Sequence, residues 1–254
     1  MDAPSPGPSP KDRFLTVFGR KPVLEALADA ELRVDKVILA DNARGPAAQE
    51  ILVAASSRSV PVERASAHRV KVLAGNGKQD QGVLADVVAP RMRRLSDALA
   101  SGSLSTVLVL DGITTPANVG MILRTATAAG IDGIVVPRRG VASLDPLVVK
   151  ASAGVAFHAP VLRCYTAAEA AAALREAGFP LFALSAGTSS SLFTAALPRR
   201  AAFVLGGETA GIGADVRPSV TGWLSIPLSG GVESLNVASA AAVLCFELVR
   251  RRDL

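Results

Sequence analysis

A chain of 254 residues, half of them hydrophobic and only 19% charged, holds enough apolar material for a sizeable core in one large domain or two small ones. The net charge of +5 and the pI of about 9.7 suit a polyanionic partner, although many soluble proteins are as mildly basic. Two distant cysteines in apolar company, Cys164 and Cys245, exclude a disulfide framework and a cysteine metal site. They read as small core residues in a reducing cytoplasm.

In chain order, residues 1–13 are rich in Pro and Ser, carry no apolar signal core, and read as a disordered tail. Residues 14–89 read as a small α/β unit. A helix is expected from Pro22, with Val23, Leu24 and Leu27 on one side. A strand follows at 34–39, then a helix over 46–55 with Pro46 in its first turn, a short extended piece at 60–62 and a strand at 82–88. Gly75 and Gly77 flank an evident turn. Residues 90–103, with Arg91, Arg93 and Arg94, form a basic connector that either grips RNA backbone or keeps a linker soluble.

Residues 104–254 open with a strand at 106–110 and continue with a helix over 118–129 and a strand at 131–136. A short helix at 145–151, a strand near 159–162, a helix over 167–177 ending at Gly178 and a strand at 180–184 come next. Two apolar runs, 202–205 and 223–228, close the series as buried strands. Each ends in a loop of Gly, Ser and Glu, and the second leads into an Ala-rich helix from about Leu235. Strands alternating with helices predict a mostly parallel sheet covered on both faces. No Gly-x-Gly-x-x-Gly follows the first strand and no P-loop occurs. The glycines cluster late instead, so a ligand site is expected near the C-terminus. The longest apolar stretch, around 237–246, is too short to span a bilayer and is interrupted by Ser239, so no membrane contact is expected.

Three segments carry chemistry. The first is Asp111-Gly-Ile-Thr-Thr-Pro-Ala-Asn118-Val-Gly120-Met-Ile-Leu-Arg124. The second is Gly206-Gly-Glu208-Thr-Ala-Gly-Ile-Gly213, and the third joins Ile226-Pro-Leu228 to Ser234-Leu235-Asn236. Gly206 and Gly207 remove side chains where a ligand can meet the main chain. Glu208 is a carboxylate that a plain turn does not need. Ser234 and Asn236 either cap the following helix or hold a substrate. Arg124 either snorkels to the surface or serves the site. His68 and His158 have no carboxylate partner placed by sequence and read as structural or surface groups.

Taken in order, these segments resemble the three motifs of the SpoU/TrmH family of RNA ribose 2′-O-methyltransferases, within the SPOUT superfamily. Phe18-Gly-Arg-Lys-Pro and Gln81-Gly-Val resemble the family's N-terminal RNA-binding domain, itself similar to a ribosomal protein of the L-thirty-e type. The family often has a histidine before Gln-Gly-Val; here Asp80 stands there, so any role of that histidine is absent. The resemblance implies a C-terminal trefoil knot, which no sequence pattern predicts.

It further implies S-adenosylmethionine as cofactor, held by main chain and apolar walls around Gly206, Ile226 and Leu235, with Leu228 and Ser185 nearby. It implies Arg124, Asn118, Glu208, Ser234 and Asn236 as the catalytic set, with Ser152 in a further matching segment, and no metal. A guanidinium stays protonated, so Arg124 suits fixing a phosphate or stabilising an alkoxide better than accepting a proton. Arg20 and Lys21, beside Gly19, either contact RNA phosphate or simply begin a solvated helix. The implied partner is structured RNA, with ribosomal RNA (23S) preferred over transfer RNA, in the cytoplasm. The C-terminal helix carries apolar residues all round, Val243 and Leu244 among them, which predicts a homodimer built on it. A catalytically silent RNA-binding protein of the same fold and an unrelated nucleotide-using α/β enzyme are the competing readings.

Overall fold

The structure is a computed structural model that describes residues 13–75, 80–185, 187–207 and 210–252. The tail read over 1–13 lies, but for Arg13, outside the described residues, as do most of the turn after Gly75 and the whole of Glu208.

The first sheet contains β1 (Phe14–Phe18), β2 (Val34–Ala40), β3 (Val62–Ala65) and β4 (Val83–Val88), in the order β1-β4-β2-β3. β4 is antiparallel to both β1 and β2, and β2 runs parallel to β3. Alternation along the strands divides their side chains between two layers. Leu15, Val17, Val37, Leu39, Val83 and Val87 face α1 (Arg20–Ala28) and α2 (Pro46–Ser57). Ile38 and Leu84 face α3 (Ala67–Leu73) through Val70. Asp80 stabilises the turn into β4, its carboxylate accepting from Gly82 N at 2.7 Å.

The larger sheet comprises β5 (Arg93–Arg94), β6 (Thr106–Asp111), β7 (Gly133–Val135), β8 (Val161–Arg163), β9 (Leu181–Leu184), β10 (Ala201–Gly206) and β11 (Gly222–Leu224). Their order is β11-β9-β10-β6-β7-β8-β5, and every pairing is parallel. Buried on both faces, β6 and β10 read as continuous apolar runs. Leu108, Leu110, Phe203 and Leu205 pack under α5 (Pro116–Ala128) and α8 (Val237–Arg252). Val107, Val109, Ala202 and Val204 pack under α4 (Leu95–Ala100) and α7 (Ala167–Glu176). The mostly parallel α/β sheet with helices on both faces is therefore present.

Some boundaries differ from the sequence reading. The strand expected over 223–228 stops at Leu224, level with the end of its neighbour β9 at Leu184, and Ser225 bonds instead to the loop after β9, its N–H donating to Ser190 O at 2.8 Å. The stretch read as a connector contributes β5, paired with β8, and α4. β7 begins only at Gly133, because the side chain of Asp132 accepts from the backbone N–H of Ser105 and Thr106 and caps the start of β6.

α8 is apolar on most sides because its own chain covers it. Leu244 and Cys245 are fully buried, whereas Phe246 remains 53% exposed. Its buried Glu247 bonds Arg250 at 2.7 Å and Arg251 at 2.7 Å. Arg251 then donates to the carbonyls of Leu192 and Ala195, and Arg252 to that of Gly130 at 3.0 Å. The hydrogen bond from Arg250, with help from Arg251, outweighs burial and holds the Glu247 carboxyl at about 2, below its ordinary 4.5. A lowered carboxyl pKa stabilises the fold above about pH 4.5, and this contribution is lost as pH falls toward 2. Glu247→Gln should therefore cost about 1–2 kcal/mol at pH 7, since solvent around the exposed Arg250 screens part of the effect. Thermal melts should show the gap from wild type closing below pH 4.5. A gap independent of pH would rule out the charge as its origin.

Candidate active site

Three loops meet where parallel strands end. The loop after β10 begins with Gly206 and Gly207, and Gly206 pairs in register with Asp111 at the end of β6. A Cβ on Gly207 would strike the carbonyl of Gly112, so the loops after β6 and β10 cross backbone on backbone. A Cβ on Gly206 would meet Gly211 O at 2.6 Å and Ile212 N at 2.7 Å. The loop therefore folds back on itself, with Gly211 N donating to Gly207 O at 2.9 Å. Gly211 sits at φ 61°, a conformation that favours glycine. The Asp111 carboxylate accepts from Gly213 N at 2.6 Å and fastens the loop to β6. Asp111 is the clamp that the sequence reading quoted without assigning a task; its position at a strand end, before a glycine, was the available signal.

The third loop reaches α8 through Asn236, whose side-chain oxygen accepts from Ala238 N at 2.9 Å and caps the helix. Its amide nitrogen donates to Asn118 Oδ1 at 3.1 Å. Of the two tasks the sequence left open, the structure shows the helix cap, and Asn236 also ties the third motif to the first. Asn118 is buried on α5, whose close approach to α6 (Pro146–Ala151) depends on Gly120. A Cβ there would lie 2.6 Å from that of Ala151.

The loops after β9, β10 and β11 enclose a cavity of about 420 Å³. Gly206, Ile226, Leu228, Leu235 and Ser185, expected from separate stretches of sequence, all line it, together with Ser234 and Asn236. Its wall alternates aliphatic side chains with hydroxyls, amides and glycine backbone, a composition suited to a flat heterocycle carrying polar groups. Ser185 N donates to Leu224 O at 2.9 Å, joining the loops after β9 and β11.

Other candidates are not brought there. Arg124 lies on α5, six residues past Asn118 and so roughly 120° round the helix; it is exposed and does not line the cavity. Arg20 and Lys21 are exposed at the start of α1, with Lys21 3.9 Å from Glu25 and Arg20 N donating to Gln81 Oε1 at 3.0 Å. Ser152 is fully buried, donating to Val149 O and accepting from Ala156 N, a structural task. His68 and His158 are exposed. Among the described residues no group of His, Cys, Asp or Glu is placed to hold a metal, and no helix is long and apolar enough to cross a membrane.

Fold and cavity define an α/β protein whose ligand site is built largely from backbone at the carboxyl ends of parallel strands. Comparison with known proteins makes this specific. Residues 105–246 match the SpoU rRNA methylase family, and residues 16–93 match the RNA 2′-O ribose methyltransferase substrate-binding family. The chain belongs to the SpoU/TrmH family of RNA 2′-O-ribose methyltransferases.

Its relatives include a Staphylococcus saprophyticus protein assigned to the TrmH tRNA/rRNA methyltransferase family, 32% identical over 94% of this chain and 96% of the relative. The 23S rRNA (guanosine-2′-O-)-methyltransferase RlmB of Xanthomonas axonopodis pv. citri is 32% identical over 93% and 96%. Among solved structures, the SpoU methyltransferase AviRb of Streptomyces viridochromogenes, in complex with AdoMet, superposes with a TM-score of 0.64 at 26% identity, covering 94% of this chain and 91% of that one.

Proposed function

We propose that the protein methylates a ribose 2′-hydroxyl of 23S ribosomal RNA with S-adenosylmethionine as methyl donor. The observation that carries this reading is the convergence of the second and third motifs on one cavity, with the first motif joined to the third by the Asn236–Asn118 bond. Family membership supports the reaction, the AdoMet complex of AviRb supports the donor, and the Xanthomonas relative supports the RNA.

The residues present fit the donor. Ile226, Leu228 and Leu235 offer an apolar slot, and Gly206 leaves backbone bare beside it. When bound, S-adenosylmethionine supplies the electrophilic methyl group. The chain's own work is then positioning and charge stabilisation. Asn118 and Asn236 hold the loops in register, Ser234 offers a hydroxyl at the cavity wall, and Glu208 is assigned to orienting this set. Arg124 takes the RNA phosphate or the developing alkoxide rather than the proton.

Residues 14–89 are the substrate-binding unit in this reading, with Arg20 and Lys21 at its exposed helix start. The proposal includes the C-terminal trefoil knot, a cytoplasmic location and a homodimer. Phe246 on α8 and Met121 on the adjacent α5 are large apolar side chains 53% and 41% exposed, which supports pairing through these helices.

The test is transfer of radiolabelled methyl groups to transcribed 23S ribosomal RNA and to transfer RNA. Alkaline hydrolysis then follows, which a 2′-O-methyl group blocks at its own phosphodiester. Label should enter the 23S transcript at one alkali-resistant position. Label in transfer RNA alone, or in neither, would refute the assignment. Sedimentation of the active protein at micromolar concentration should show a dimer, and a fully active monomer would remove that part.

A further inference from the structure

A second cavity, of about 470 Å³, opens on the same edge of the large sheet as the proposed cofactor site. It lies where β5, β8 and the extension of β7 end, and Arg94, Arg138, Arg163, Tyr165 and Glu169 line it. The cofactor cavity sits at the ends of β9, β10 and β11. From β10 to β8 is three strand spacings, about 14 Å, so both openings lie along one rim.

The arginines are positioned rather than loose. Arg138 N donates to Cys164 O and Arg139 N to Tyr165 O, each at 3.0 Å, which extends the β7–β8 ladder past the strands. Arg163 donates to Val136 O at 2.6 Å across the same pair. Glu169, the one acid lining the cavity, accepts from Tyr165 N at 3.1 Å, and its own N–H bonds Thr166 Oγ1 at the start of α7. Three arginines, Arg94, Arg138 and Arg163, against this one acid leave the rim with a net positive charge. Tyr165 stands 60% exposed beside these cations. An exposed ring among arginines is poor material for a core and good material for stacking a base. Cys164 is no reactive thiol, because burial and the nearby Glu169 push it up to about 12.

Resting on the RNA reading above, the geometry points to a single-stranded RNA track: Arg138, Arg139 and Arg163 hold phosphates while Tyr165 stacks an unpaired base flanking the methylated nucleotide. The site binds sugar-phosphate backbone and one base face, with no readout of base edges.

The test uses the full chain and a short labelled single-stranded RNA of mixed sequence. Tyr165→Ala should weaken binding about tenfold, within the range for one stacked base, while Tyr165→Phe keeps it within about twofold. The Arg138→Ala, Arg139→Ala double variant should flatten the dependence of log affinity on log salt by about 1.4, roughly 0.7 for each phosphate no longer neutralised. S-adenosylmethionine affinity and melting temperature report that each variant is folded. A wild type that binds RNA, alongside variants with unchanged affinity and salt slope, overturns this inference alone. Equal affinity for a duplex of the same sequence overturns the stacking role. A wild type that binds S-adenosylmethionine but neither binds nor methylates RNA overturns the enzyme reading as well.

Discussion

Arg124→Ala lowers methyl transfer by about two to three orders of magnitude, with S-adenosylmethionine affinity held within a few-fold. The expectation follows from where the side chain stands. It leaves α5 exposed, outside the cavity, and makes no hydrogen bond or ion pair among the described residues. Its loss therefore removes nothing from the cofactor slot and little from the fold. A planar, permanently charged fork suits a phosphate or an alkoxide, and both arrive only with the RNA. Arg124→Lys should recover part of the rate, since one ammonium keeps the charge and loses the bidentate geometry. Single-turnover rates with calorimetric cofactor affinities separate the two effects. A near-normal rate for Arg124→Ala, or an equal loss of cofactor affinity, would contradict the role.

The cavity was legible because its parts are signalled locally. Gly206 and Gly207 after an apolar run, Pro227 after Ile226, and Asn236 ahead of an alanine-rich helix each mark a backbone event. Backbone events at strand ends are what build this site. The strands of the large sheet were legible for the same reason: burial on both faces makes β6 and β10 unbroken apolar runs.

Features that arise from distance in the chain were less visible. β5 is two arginines long, and it is a strand because β8, some seventy residues later, offers it a ladder. α3 buries a single residue, Val70, so its apolar periodicity is too short to register. The placing of β10 beside β6 makes Asp111 a clamp on Gly213, a contact between residues 102 apart. The apolar girth of α8 was visible, yet its cause was ambiguous. In the structure Leu244 belongs to the chain's own core, so a charge there would damage the fold itself; Phe246 is the side chain left outside. A dimer-breaking substitution therefore belongs at Phe246.

Gly206→Ala should abolish measurable S-adenosylmethionine binding almost as completely as Gly206→Val, each by at least about a hundredfold. If the glycine merely left room for a ligand, a methyl group would be tolerated far better than an isopropyl group. The direction of the missing Cβ argues otherwise. It points at the backbone of Gly211 and Ile212, with Gly211 O at 2.6 Å and Ile212 N at 2.7 Å, and backbone cannot rotate aside as a side chain can. The first carbon already forces the loop outward, and the 2.6 Å bond from Gly213 N to Asp111 then stretches or breaks. Ile212, part of the cavity wall, moves with it. β10 itself is buried and paired on both sides, so the sheet should survive, with melting temperature lowered by a few degrees. Calorimetry on the two variants, alongside far-ultraviolet dichroism, decides between the mechanisms. Near-normal cofactor affinity in Gly206→Ala with loss only in Gly206→Val would restore simple blocking of the slot, and unchanged affinity in both would remove Gly206 from the site.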